Sequence, residues 1–352
     1  MTNLKISIGS NIIEGPWGGG NQFAKNLSDF LIKKGWKVTS QLIDSDIDIV
    51  LMTEPRKNLI SSKYNQKDIA RYLVKKPDTI VIHRINECDE RKKTKNVNDY
   101  LKRANKVADF TVFVSSFVKS IFINKEMVDK GNYSVIKSGA NRDIFNSKGR
   151  VRWEGKDILK IVTHHWSSNY YKGFDIYQML DNITERKING IEFQFNYIGR
   201  AGKDYNFRNT EIFSPVYGKQ LADKIKENHI YLTASINDPA GNHFLEGALC
   251  GLPLLFRNSG GTPEYCKGYG VMFDGKNNFL DKLKQLADNY YYYFDKIKDF
   301  PLDSDKNGSE YEKIFIKLLE KRKNFDLKKR RIKFLKIYLK EKVFYRKYKG
   351  DL

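Results

Sequence analysis

Cysteine and acidic side chains are scarce in this chain, and no long apolar run occurs. Its three cysteines, Cys88, Cys250 and Cys266, are odd in number and lack the close pairing of zinc or redox sites. That excludes a disulfide framework and reads as reduced thiols of a cytosolic protein. No window approaches 18 apolar residues without a charge, so no membrane-spanning helix is expected, and MTNLKISIGS has neither the apolar core nor the cleavage site of a secretory signal. No tandem repeat is visible either. The shortage of acid, 42 Asp and Glu against 63 Lys and Arg, leaves a formal charge of +21, a field that draws phosphates, anionic lipid or nucleic acid. What is present supports folding. Hydrophobic residues make up 40% and charged ones 30%, away from the signature of disorder, and 352 residues correspond to two domains of roughly 150 each.

Short apolar runs alternate with helical patterns. Lys5 to Ile8 is followed by a helix with Phe23, Leu27, Phe30 and Leu31 on one face, closed by Gly35. Further strands are expected at Asp48 to Met52, Thr79 to Ile85, Thr111 to Ser115 and Tyr133 to Lys137, with a helix over Tyr100 to Ala108. A polar, aperiodic stretch from Asn146 to Lys156 breaks the rhythm and marks the domain boundary. Alternation resumes with Ile158 to Thr163, Phe193 to Gly199, Ile230 to Ser235, Leu252 to Phe256 and Gly270 to Phe273. Strands alternating with helices imply two α/β units with parallel sheets, whose ligand sites lie where strands end and loops begin.

Three post-strand loops carry candidate chemistry. In GPWGGGNQF, Gly15 to Phe23, glycines either let backbone amides approach an anion or sugar, or form a flexible turn. In HRINECDER, His83 to Arg91, the polar cluster either bonds sugar hydroxyls or caps a strand. The richest is DPAGNHFLEGALCGLPLLFRNSGGTPEY, Asp238 to Tyr265, where seven residues separate Asp238 from Glu246 across a strand-to-helix loop. Taken singly, Asp238 reads as a helix cap and Glu246 as a solvated helix face; as a pair they can hold ligand hydroxyls at two points.

This ordered set resembles the family 4 retaining glycosyltransferases, in which two carboxylates separated by seven residues precede a small-residue helix, a Cys-Gly-Leu-Pro-like turn and a Gly-Gly-x-Pro-Glu loop. The counterparts are Asp238, Glu246, Cys250 to Pro253 and Gly260 to Glu264. Asn196 to Arg200, Ser214 to Ser235, Gly18 to Gly20 and Ser134 to Phe145 support the likeness, which spans about residue 4 to about residue 320. The resemblance implies the α/β GT-B fold: two Rossmann-like doubly wound domains facing a cleft, with a C-terminal basic helix. Residues 1–147 would be the acceptor domain, 148–305 the nucleotide-sugar domain, and 306–352 helices crossing back to the first domain. It further implies transfer of a sugar with retention, from a nucleotide sugar to a glycan or lipid-linked saccharide acceptor in polysaccharide biosynthesis, with no metal and no cofactor beyond that donor substrate. Glu246 would bind ribose, Asp238 the transferred sugar, and the amides of Gly241, Asn242 and His243 its hydroxyls. Gly18, Gly19, Gly20, Gly260 and Gly261 would face the donor, as would His83. Lys172 matches the family's phosphate-binding lysine. Its arginine partner has no counterpart, because His164, His165 and Trp166 stand there, which leaves Lys172 with a histidine or Arg200 to neutralise the diphosphate. Two adjacent imidazoles on a strand point to opposite faces and do not share one metal ion.

From Lys323 to Leu352 there are twelve Lys or Arg against Asp326, Glu341 and Asp351, a net charge of 12 − 3 = +9. Ile332, Leu335, Leu339 and Val343 recur at spacings of three and four among Lys333, Lys336 and Lys340, making a basic amphipathic helix. Either it lies on an anionic membrane, as a peripheral protein on the inner face of the plasma membrane, or it packs on the first domain with a solvated basic face. The competing functions are a catalytically degenerate GT-B protein that binds nucleic acid or anionic polymer, and a phosphorylase or hydrolase on the same architecture. No nucleic-acid-reading module is present, so no specific nucleic acid is expected.

Overall fold

The computed structural model describes residues 4–15, 17–123, 127–128, 131–183, 187–188, 190–202 and 205–347. The first parallel sheet consists of β1 (Lys5–Ile8), β2 (Lys37–Thr39), β3 (Ile49–Met52), β4 (Ile80–Ile85), β5 (Phe110–Phe113) and β6 (Tyr133–Val135), in the order β2-β1-β3-β4-β5-β6. Its runs IVLM and IVIHRI are buried on both faces, as parallel strands between helices must be. The flanking helices are α1 (Gly19–Lys33), α2 (Gln66–Lys75), α3 (Val97–Ala104) and α4 (Ser116–Ile123). On one face Ile6, Ile8, Leu51 and Ile82 pack with Phe23, Leu27 and Leu31 of α1. The opposite face places Val50, Met52 and Val81 against Ile69 and Leu73 of α2.

The second sheet contains β7 (Leu159–His165), β8 (Lys187–Ile188), β9 (Ile191–Gly199), β10 (Glu211–Phe213), β11 (Ile230–Thr233), β12 (Leu254–Arg257) and β13 (Gly270–Phe273). The order is β10-β9-β7-β11-β12-β13, all parallel, with β8 pairing antiparallel to β9. Its helices are α5 (Phe174–Asp181), α6 (Gly218–Lys226), α7 (Asn242–Leu249), α8 (Thr262–Cys266), α9 (Lys276–Asp288) and α10 (Tyr290–Lys296). In both sheets the strand order reverses beside the first strand, at β1/β3 and at β7/β11, and at such a switch point the following loops diverge and leave a crevice.

Two further helices, α11 (Ser304–Lys321) and α12 (Leu327–Lys347), return to the first sheet. Tyr311 and Phe315 of α11 join the α1 layer, and Phe334 of α12 enters the α2 layer fully buried. Residues 348–352 of the basic tail lie outside the described residues. The two sheets are tied directly as well. Tyr265 of α8 donates its hydroxyl to Val114 O (2.5 Å) and accepts from Ser138 N–H (2.9 Å), while Glu264 Oε1 accepts from Ser116 N–H at the start of α4 (2.7 Å).

Candidate active site

Asp238 lies in the loop after β11, 2% exposed, and is approached by cations from both domains. Lys172 ends a 3-10 turn between β7 and α5 and donates from Nζ to Asp238 Oδ2 at 2.8 Å. From the first domain Arg91, in the loop after β4, brings Nε to 3.9 Å from Asp238 Oδ1 while Nη1 donates to Glu87 Oε2 at 2.9 Å. Arg91 Nε is buried and takes no hydrogen-bond partner among the described residues. Burial works against the charge on Asp238, but Lys172 and Arg91 outweigh it and hold the carboxyl well below its usual range. Burial, with Arg91 added to it, draws Lys172 below the ordinary lysine value although Asp238 pulls the other way. The outcome is one buried carboxylate beneath two cations.

Behind this cluster Arg257, at the end of β12, forms a two-pronged buried pair with Asp175 in the first turn of α5, Nη1 to Oδ1 at 3.0 Å and Nη2 to Oδ2 at 2.5 Å. Nη1 also donates to Ala234 O (3.0 Å), so this arginine ties the first turn of α5 to the end of β11.

Glu246 lies on α7 with a relay behind it. His164 at the end of β7 meets Glu246 Oε2 through Nε2 at 2.7 Å, and its Nδ1 meets the Tyr231 hydroxyl at 2.8 Å. A carboxylate only accepts, so Nε2 carries the proton toward Glu246, and the Nδ1 of the neutral ring accepts from the Tyr231 hydroxyl. Glu246 Oε1 takes no hydrogen bond from the described residues and remains available to a pair of vicinal hydroxyls. His165 turns to the Tyr177 hydroxyl instead (2.8 Å), and His243 Nε2 is engaged by Thr233 Oγ1 (2.7 Å). Burial pushes both of these imidazoles well below the ordinary histidine value; the His243 ring and Lys172 add to it at His165, and Lys172, His164 and Arg91 add to it at His243 against the pull of Asp238.

Two helix N-termini meet across the cleft. Gly18 caps α1 and Gly241 caps α7, and no side chain occupies the cap hydrogen bonds of either helix. A Cβ at Gly19 would stand 2.9 Å from Asn242 Cγ, so glycine is what allows the two chain segments to approach this closely. Gly20 lies beside Asn86 from the loop after β4. The uncapped N-termini of α1 and α7 thus meet at Gly19 and Asn242, and α7 begins a few residues after Asp238, the carboxylate that Lys172 and Arg91 approach.

The remaining residues singled out from the sequence lie elsewhere. His83 is 0% exposed inside the first domain, where Nδ1 meets Asn105 Oδ1 at 2.9 Å, and none of its hydrogen bonds reaches the Asp238 cluster. On β4 it alternates with Arg84, so its side chain points to the α2 face while the loop beyond enters the cleft. Arg200 is exposed at the end of β9, and its backbone N–H bonds His165 O (3.1 Å). Gly260 and Gly261 are taken up by the protein itself: Gly260 has φ +62 and would place a Cβ 2.6 Å from Asp238 O, while Gly261 N–H donates to Asp238 O (2.9 Å) and its Cβ position abuts Ser115. They support the Asp238 loop from below. Arg91 was not singled out by the sequence reading, although it sits in the HRINECDER loop; the search for a second cation stayed within the second domain. Glu264, the end of the Gly-Gly-x-Pro-Glu loop, anchors the second domain to α4.

No protein-family model and no curated protein matches the sequence. Solved structures do resemble it. Sucrose-phosphate synthase from Thermosynechococcus elongatus superposes with a TM-score of 0.64 at 11% identity, covering 90% of this chain and 100% of that one. A glycosyltransferase from Rickettsia africae gives 0.61 at 14% identity, with 91% and 99% covered. HepE from Anabaena, solved with UDP and glucose, gives 0.64 at 10% identity, with 88% and 98% covered. At such identities the likeness concerns architecture, and the chain has the two-domain, Rossmann-like α/β fold of these proteins, GT-B.

Proposed function

We propose that the protein is a glycosyltransferase that moves a sugar from a nucleotide-sugar donor to a hydroxyl of a glycan or lipid-linked saccharide, with retention of anomeric configuration and as a step of polysaccharide assembly. The observation that carries this reading is the convergence of Lys172 and Arg91 from two domains on Asp238, a few residues ahead of the α7 N-terminus that meets α1, with the relay-held Glu246 one helix turn into α7. A nucleoside diphosphate fits that distribution: ribose hydroxyls on Glu246 Oε1, the diphosphate among the cations and backbone N–H groups, and the sugar over Asp238. In this scheme the bond from the anomeric carbon to the β-phosphate oxygen breaks as the acceptor oxygen bonds to that carbon. The acceptor proton passes to the departing phosphate. Charge grows on the leaving group, and prepositioned donors and cations that meet it there stabilise the transition state. Lys172 and Arg91 supply that charge from the protein, so the scheme uses no metal and no cofactor besides the donor. Asp238, held ionised beneath both cations, positions the sugar and supports its developing positive charge.

Thermal unfolding across a panel of nucleoside diphosphates and sugar nucleotides tests the reading, because a ligand of the native state raises the melting temperature, by about 2.7 kcal/mol of stability at a hundred times its Kd. One nucleotide and its sugars are expected to stabilise the protein selectively. Glu246→Ala should weaken that ligand at least tenfold, since a carboxylate bridging two hydroxyls contributes about 1.5–3 kcal/mol. Glu246→Gln, which retains an oxygen toward His164, should lie between. Folded protein that no sugar nucleotide stabilises, or Glu246→Ala with unaltered affinity, refutes the proposal.

A further inference from the structure

Helix α12 has two working faces. Through one it docks on the first domain: Phe334 is fully buried, Ile337 and Tyr338 pack beside it, and Glu341 accepts from Arg103 Nε (2.8 Å) and Gln66 Nε2 (3.0 Å). Arg330 completes this face, donating to Asp109 Oδ1 (2.5 Å) and Pro77 O (2.7 Å). The apolar residues picked out by their spacing are on the other side. Ile332, Leu335, Leu339 and Val343 are 48%, 43%, 50% and 67% exposed. At about 100° per residue their row is centred about 145° from Phe334, nearly opposite the docked face. Exposed lysines flank it, Lys329, Lys336 and Lys340 along one side and Lys342 with Arg331 along the other. Glu341, the helix's acidic residue, is turned inward.

A helix that only packs needs one apolar face, and a contiguous exposed second one marks an interaction surface. Charge selects the occupant. Pairing this row with a second copy would bring two sets of lysines together. A nucleic acid would use the lysines, but an aliphatic row gives it nothing to stack on. An anionic bilayer satisfies both, lysines at the headgroups and aliphatic side chains about 5–10 Å into the acyl boundary. No helix among the described residues is long and apolar enough to cross a membrane, so the contact would be made in the plane of the surface.

We propose that α12, held rigidly on the first domain, is an in-plane anchor that seats the protein on an anionic lipid surface. The proposal stands on the helix alone and is independent of the glycosyltransferase reading. Sedimentation of the full chain with phosphatidylcholine vesicles, with and without phosphatidylglycerol, tests it. Binding should be at least tenfold stronger with the anionic lipid and should weaken at high salt. Leu335→Gln with Leu339→Gln should weaken it about tenfold or more, because the leucines lose their transfer to the acyl region. Their exposure predicts an unchanged unfolding midpoint, which separates lost anchoring from lost folding. Three results overturn the proposal: wild type that stays in the supernatant with anionic vesicles; retention that requires the lysines but is indifferent to the leucines, as for any polyanion; and dimerisation through α12 that competes with the vesicles.

Discussion

Lys172→Ala is expected to lower turnover of the stabilising sugar nucleotide by about a hundred- to a thousandfold, the range for removing one prepositioned electrostatic group from a reaction that builds negative charge. The side chain has two duties that the variant removes together. It faces the region where the diphosphate would lie, and it neutralises Asp238 at 2.8 Å. With Lys172 gone, Asp238 keeps only Arg91 at 3.9 Å, and an uncompensated buried carboxylate costs about 3–5 kcal/mol of stability. The two duties separate in the double variant. Lys172→Ala with Asp238→Asn carries no orphaned charge, so its unfolding free energy should recover toward wild type while turnover stays low. Release of nucleoside diphosphate, read beside urea unfolding of all three variants, makes the comparison. Turnover of Lys172→Ala within tenfold of wild type would remove Lys172 from the mechanism; recovery of turnover in the double variant would remove both Lys172 and Asp238 from it and leave them a structural pair.

Arg91 belongs to the same argument. Its Nε is buried without a hydrogen-bond partner among the described residues, it comes from the opposite domain, and it stands where a second phosphate cation is wanted. The resemblance directed the search to the end of β7, where His164 and His165 stand, and to Arg200 at the end of β9. Sequence distance concealed Arg91, because only the meeting of two domains brings it over Asp238. Its signal in the sequence is that of Lys172, a basic residue in a post-strand loop, but in the other domain.

What could be read in the sequence follows from which forces act locally. Central strands such as β4, β7 and β11 announce themselves because burial on both faces favours stretches rich in apolar and β-branched residues, IVI, IVT and IYLT. The edge strands β2 and β10 escaped, being three residues each with none of them buried, so that pairing rather than composition makes them strands. The placement of Asp238 and Glu246 on one strand–loop–helix unit was legible through their spacing. The roles of Gly260 and Gly261 were not, since whether a glycine admits a ligand or the protein's own backbone depends on what arrives from elsewhere, here Asp238 O and Ser115. The apolar row of α12 was equally plain in its period, but the period does not say which face docks. Arg330, Phe334 and Glu341 decide that through partners more than 200 positions away.

Stability should fall steeply as pH drops from 6.5 toward 5, because most of the chain's five histidines are buried as neutral rings. Burial pulls His83 down to about 4 against the opposing hydrogen bond to Asn105, and pulls His229 to about 4 with Lys160 adding to it. His165 and His243 are shifted the same way. In the unfolded chain each titrates near 6.5, so below that value the unfolded state binds more protons and stability must decrease with falling pH. The loss approaches about 1.4 kcal/mol per pH unit for each such ring until the folded pKa is reached. Carboxylates do not blur this window. Asp238 sits below its usual range in the folded state, so its stabilisation is complete above the ordinary carboxylate value and is lost only at more acid pH. Urea unfolding at intervals between pH 7 and 5 reads the slope, and His83→Gln isolates one ring: it keeps a polar group toward Asn105 and cannot titrate. That variant should lose stability less steeply than wild type by about 1.4 kcal/mol per unit. Equal slopes would mean that His83 takes up its proton inside the folded first domain, which its full burial against Asn105 does not permit.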